Sequence, residues 1–236
     1  RTIAYEVDRL FSLLQLQRSY NSNAFGEAVY KISQNIREKG VDSIRPAFDK
    51  TLLELLSEAR GVKADTPFSY GLFKETGIEL DKRFKRYFFA RIEKFIADNT
   101  RLQMKHSFYD LVQNTGAVNG FHIEHILAQN TENLKAFNND EERFKSERNR
   151  LAGLLLLKGR DNISSNDEPY SEKLKSYANT LYWNETLRED AYKSKLDFSE
   201  MISRHKLTFK AMKSFGPNEL EERQKLLFEI AKIIWK

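Results

Sequence analysis

Apolar residues recur three and four positions apart along most of this chain, and in two short stretches that period gives way to something else. Ile3, Val7, Leu10, Phe11 and Leu14 mark the buried stripe of a helix over residues 3–17. Ala28, Val29, Ile32 and Ile36 predict a second helix over 24–38, which Gly40 stops, and Phe48, Leu52, Leu55 and Leu56 predict a third over 47–59. A loop containing Gly61 and Pro67 leads to Asp81, a side chain suited to capping a long aromatic-rich helix over 82–98. The pattern then changes. Asn114-Thr115-Gly116 and Asn119-Gly120 are turn signals, and Phe121 to Gln129 follows as a short apolar stretch of strand character with histidines in it. Residues 131–149 are charged and predict a helical insertion before a second apolar run, Leu151 to Leu157. A polar turn, Lys158 to Asn162, precedes a further helix-like segment. The helical period returns from Ser171 to Lys236, and Pro217 opens the last helix, where its missing N–H costs nothing. The expected fold is mainly α: a helical bundle with a small strand–strand–helix motif embedded in it. Residues 1–112 read as a helical connecting region and 113–236 as the domain carrying the motif.

Composition narrows the chemistry more than the fold. The 236 residues are 40% hydrophobic and 31% charged, the balance of a folded domain. Lys and Arg exceed Asp and Glu by 39 to 34, a net charge of +5 whose sign suits a polyanion. Cysteine is absent, which excludes disulfides, thiolate zinc sites and cysteine nucleophiles. Of four histidines, His122 and His125 fall in one predicted strand, so imidazole chemistry is localised there. No apolar run approaches the roughly 18 residues of a membrane span, and no signal peptide is seen. The chain opens at Arg1, without Met and already in a helical pattern, and it is expected to be a piece of a longer protein.

The stretch His122-Ile123-Glu124-His125 sets a carboxylate beside an imidazole. Hydrolysis of a phosphodiester needs an oxygen ligand for a divalent cation and a base for water, and Glu124 and His125 can supply them. Neighbours on a strand point to opposite faces, so the two converge only where the strand ends or bends. His122 shares a face with Glu124 and is a candidate metal ligand or its partner. A His-x-x-His zinc reading is weak, because zinc sites of this type prefer helical i,i+4 spacing. Asn162 opens the following helix; its amide oxygen suits Mg²⁺ or Mn²⁺, and Asn is also a favoured N-cap. Asn166, one turn on, is a fallback ligand.

His122 to Gln129, Leu151 to Leu157, and Asn162, Asn166, Pro169-Tyr170 and Lys173 together resemble the HNH-type nuclease domain at the C-terminus of GmrSD-type modification-dependent restriction enzymes. They are also similar to the C-terminal nuclease of SspE-type phage-defence proteins. The resemblance spans about residues 113–236 and is sharpest over 121–173. It implies a ββα-metal fold, metal-dependent DNA nicking or cutting with Mg²⁺ or Mn²⁺, and a cytoplasmic defence role. It makes His125 the general base, with Glu124 and Asn162 as metal ligands. An N-terminal sensor domain usually precedes such a nuclease, and its Asp-Gly-Gln-Gln-Arg-type motif does not occur here. Two positions depart from the pattern: Ala128 stands where proline is usual, and Ala152-Gly153 where Gly-Asn is usual, which removes the asparagine that braces the histidine loop. Asn149 is the nearest replacement. These departures motivate the alternative of a DNA-binding or regulatory module without catalysis. A purely structural helical domain, with its histidines in a core, is the third reading.

Expected DNA contacts are Lys158 and Arg160 in the turn before Asn162, Lys173 on the following helix, and Arg83 and Arg86 on the aromatic-rich helix. There Lys82, Lys85, Arg91 and Lys94 also alternate with Phe84, Tyr87, Phe88 and Phe89.

Overall fold

The computed structural model describes residues 2–37, 39–159, 161, 168–193 and 196–235, and these are mainly helical, with a two-stranded sheet. They form two compact units, one of residues 1–76 with 235–236 and the other of residues 77–234. The boundary expected at 112/113 therefore falls inside the second unit. Among the described residues no helix is long and apolar enough to cross a membrane.

The first unit contains helices α1 (Thr2–Leu16), α2 (Ser22–Asn35), α3 (Ile44–Arg60) and α4 (Tyr70–Lys74). The Asn21 side chain caps α2 by accepting from the N–H groups of Asn23 and Ala24. Leu10, Leu13 and Leu14 of α1 and Phe48, Leu52 and Leu56 of α3 are buried at helical spacing. Buried charges in α1 are paired: Arg9 meets Asp49 at 2.7 Å, and Glu6 meets Arg45 at 3.0 Å.

The second unit begins with α5 (Lys82–Asn99). Asp81 caps it, its carboxylate accepting from Arg83 N at 2.7 Å and Phe84 N at 2.8 Å. Phe84, Phe88, Ile92 and Ile96 repeat every four residues and are buried. Helix α6 (Phe108–Gln113), capped by Ser107, leads to strand β1 (Phe121–His125). The connection to β2 carries α7 (Thr131–Lys135) and α8 (Glu141–Arg148), so the insertion is two short helices joined by a turn at Asn138 and Asn139. A 3₁₀ turn, Leu151–Gly153, enters β2 (Leu154–Lys158). The strands pair antiparallel, with Glu124 opposite Leu155 and His125 opposite Leu154. Leu154 to Leu157 are all at most 1% exposed. The unbroken apolar run is thus a strand covered on both faces, packed against α5 and against α10 (Tyr182–Glu185). Full burial of each such leucine contributes about 1.5–3 kcal/mol.

After β2 come α9 (Tyr170–Ser176), α10, α11 (Leu196–His205) and α12 (Pro217–Ile234). Proline opens α12 as expected, and Gln224 of α12 accepts from the N–H of Ala152 at 2.9 Å, tying that helix to the approach to β2. Glu93 of α5 is wholly buried and accepts from the N–H groups of Tyr182 and Trp183, both at 2.9 Å, at the start of α10. Burial pushes its carboxyl up to about 7, against these two hydrogen bonds and nearby Lys105. Two glycines are required by close approach. A Cβ on Gly159 would lie 1.9 Å from Ala117 O, and one on Gly77 would lie 2.1 Å from Asn149 O.

Candidate functional site

The end of β1 gathers the chemistry. Strand pairing holds the backbone through His125, and the N–H of Ile126 donates to Gly153 O at 2.9 Å, which prolongs the contact past the ladder. His125 Nε2 lies 3.0 Å from Asn149 Oδ1. Asn149 closes α8, and its Nδ2 donates to Lys145 O at 2.7 Å. That second bond sets the amide so that its oxygen faces the imidazole. An amide oxygen only accepts, so Nε2 carries the proton and, in the neutral ring, Nδ1 keeps a free lone pair. Burial pushes His125 down to about 4. Asn149 opposes the shift, and the positive charges of Arg148, Lys85 and Lys173 add to it. The ring is therefore neutral at pH 7 with one nitrogen able to take a proton.

Glu124 points elsewhere than the ring, as strand geometry requires, and is 4% exposed. Lys173 of α9, 1% exposed, donates to its Oε1 at 2.5 Å and to His125 O at 2.8 Å. Burial raises the Glu124 carboxyl above its usual range, opposed by the Lys173 ammonium, the backbone N–H of His125 and Arg148. Arg148 donates to Leu127 O at 3.2 Å and 3.0 Å, and its guanidinium lies over the Phe144 ring.

The predicted residues separate on this geometry. Glu124 and His125 share the strand end. His122 does not join them: its Nε2 is 3.3 Å from Gly116 O, beside the turn that leads into β1. Lys173, expected at DNA, is instead a buried partner of Glu124, because α9 packs that face inward. Arg86 donates to Val112 O at 2.9 Å, while Arg83 is exposed on the first turn of α5. Lys158 ends β2, half-buried and near His106. Asn162, Arg160 and the fallback Asn166 lie outside the described residues, and with them the start of the helix expected to complete the ββα motif; Lys173, expected on that helix, is in α9.

Asn149, Arg148 and Lys85 belong to the site although the sequence patterns did not select Arg148 or Lys85 for it. Asn149 had a signal, its position just upstream of the second apolar run. A divalent ion needs several hard oxygen ligands. Among the described residues no group of three His, Asp or Glu side chains can hold one, and the Glu124 carboxylate already has a lysine on it. The described residues do not by themselves fit such an ion.

A family model for the C-terminal domain of GmrSD restriction endonucleases matches residues 72–230. No curated protein and no solved structure matches the chain. The matched span begins within a few residues of the second unit and takes in α5, both strands, Asn149 and Lys173. On that match, the chain belongs to the family of GmrSD restriction endonuclease C-terminal domains.

Proposed function

We propose that this domain is an HNH-type DNA endonuclease of a cytoplasmic restriction or anti-phage system, with His125 as its general base. The observation that carries the reading is the His125–Asn149 pair: a neutral, half-buried imidazole with Nε2 tied down and, among the described residues, no hydrogen bond at Nδ1. Water gives a proton to Nδ1 of His125 and its oxygen bonds to phosphorus. The bond from phosphorus to the 3′-oxygen breaks, and that oxygen takes a proton from solvent. General-base assistance of this kind accelerates hydrolysis about 10²–10⁴-fold. The family resemblance adds a divalent cation, Mg²⁺ or Mn²⁺, which when bound would polarise the phosphate. Glu124 is its candidate ligand in the described chain, on condition that Lys173 releases the carboxylate; Asn162 is the other. A sensor domain of the same protein would direct the nuclease to its target.

The test is supercoiled plasmid incubated with the purified chain and Mg²⁺, Mn²⁺ or EDTA, beside His125→Ala. Open-circular or linear DNA is expected with metal, and about 10²–10⁴ less of it with the variant. Equal cleavage by the variant would remove His125 from the chemistry, and equal cleavage in EDTA would remove the metal. A second reading, a DNA-binding module without cleavage, draws on the Glu124–Lys173 pair, which occupies the carboxylate a metal would need. A shifted band with uncut plasmid under every metal would favour it.

A further inference from the structure

Lys85 is buried, 9% exposed, on the first turns of α5. Among the described residues it makes no hydrogen bond or ion pair, although Glu79 and Asp81 lie near enough to favour its charge. A lysine rarely loses its hydration without a partner, and when it does the ammonium stays at the rim while the four-carbon stem packs inward. Helix α5 packs against β1, the strand that carries Glu124 and His125. Gly77, which begins the approach to α5, lies so close to Asn149 and Arg150 that a Cβ there would be 2.1 Å from Asn149 O and 2.8 Å from Arg150 Cα. The helix start is thereby set against the residue that braces His125, and the Lys85 charge is felt at the imidazole. The neighbouring cations are engaged: Lys173 holds Glu124, and Arg148 holds Leu127 O. Three cations, Arg148, Lys85 and Lys173, act on His125, and among the described residues Lys85 is the one of them without a hydrogen-bond or ion-pair acceptor.

We propose that Lys85 is a phosphate-binding residue of this site, with an oxygen of the DNA backbone beside the scissile bond as its ion-pair partner. The proposal rests on the nuclease reading and adds a substrate contact to it. Arg83, exposed two residues earlier, lacks this combination of burial and position.

The experiment uses the full chain with Lys85 replaced by Met or by Arg. Duplex DNA binding is followed by fluorescence anisotropy over a KCl series in EDTA, with plasmid cleavage and the melting temperature measured alongside. For Lys85→Met the slope of log K against log[KCl] is expected to become shallower by about 0.9, the signature of one lost phosphate contact. Its Tm is expected to stay or to rise by roughly 2–4 °C, because an unpaired buried charge has been removed. Lys85→Arg is expected to restore the slope. A purely structural lysine would lower Tm without changing the slope. An unchanged slope and Kd in Lys85→Met, with the unaltered protein still cutting plasmid, would overturn the Lys85 contact and leave the nuclease reading standing. Should the unaltered protein neither bind nor cut, both would fall. If Lys85→Met unfolds, the slope of Lys85→Arg decides: native supports the contact, shallower overturns it.

Discussion

Asn149 fixes the imidazole through two hydrogen bonds that depend on each other. Its Nδ2 bond to Lys145 O orients the amide, and the oriented oxygen then selects the Nε2-protonated ring of His125. Asn149→Ala is therefore expected to reduce cleavage while leaving DNA affinity and the melting temperature close to native, and nitrogen NMR should show the His125 tautomers mixing. A native cleavage rate in Asn149→Ala would show that the ring needs no brace. Residues of this kind were only partly legible in the sequence. Glu124 and His125 stood out because an acid beside a histidine in an apolar strand is chemically conspicuous. Lys85 did not, since in the run Lys82-Arg83-Phe84-Lys85-Arg86 every cation looks alike until packing turns one of them inward. Lys173 reads as a surface lysine for the same reason: its burial is decided by where α9 docks, which no local pattern encodes.

Helix α9 is joined to β1 by an ion pair that is almost entirely out of water. Coulomb attraction in such a place is offset by the cost of desolvating both ions, so the intact pair contributes little, but breaking it leaves a bare buried charge. Lys173→Met or Glu124→Gln alone is expected to cost about 3–5 kcal/mol in urea denaturation. The double change to Lys173→Met with Glu124→Met should recover most of that, since two apolar side chains fill the space without a charge. Single variants within about 1 kcal/mol of native would mean that water reaches the pair. The elements themselves followed the sequence closely. Alternating turns and apolar runs announced β1 and β2, and the four-residue repeat with Asp81 announced α5. The insertion of 131–149 broke into two helices because Asn138 and Asn139 both adopt left-handed conformations, tolerated by asparagine and fatal to a continuous helix. The register of the hairpin was not legible, because a run of four leucines fits any offset until both faces are covered.

Stability of the whole molecule carries the imprint of one acid. Glu93 is neutral more readily in the fold than in the unfolded chain, its carboxyl rising from 4.5 to about 7. A raised carboxyl favours the folded state at low pH, so its contribution is complete below 4.5 and is lost as pH climbs through about 7. Relative to a Glu93→Gln variant, the native chain should lose about 3 kcal/mol across that interval, at about 1.4 kcal/mol per unit. Thermal melts of the two proteins at matched pH values measure it, and parallel pH profiles would show that Glu93 is wet. Domain organisation was the least legible level. The helical period of α5 and α6 continues that of the helices before them, and only their packing on the hairpin assigns them to the unit from Gly77 to Ile234. The two-helix connection between the strands has a practical consequence. Its turn at Asn138 and Asn139 is exposed, and lengthening such a loop costs only about 0.6 kcal/mol per doubling. A fluorophore or affinity tag spliced between these asparagines would sit between α7 and α8, while Asn149, beyond α8, keeps its hold on the ring: the domain carries its own port for a reporter.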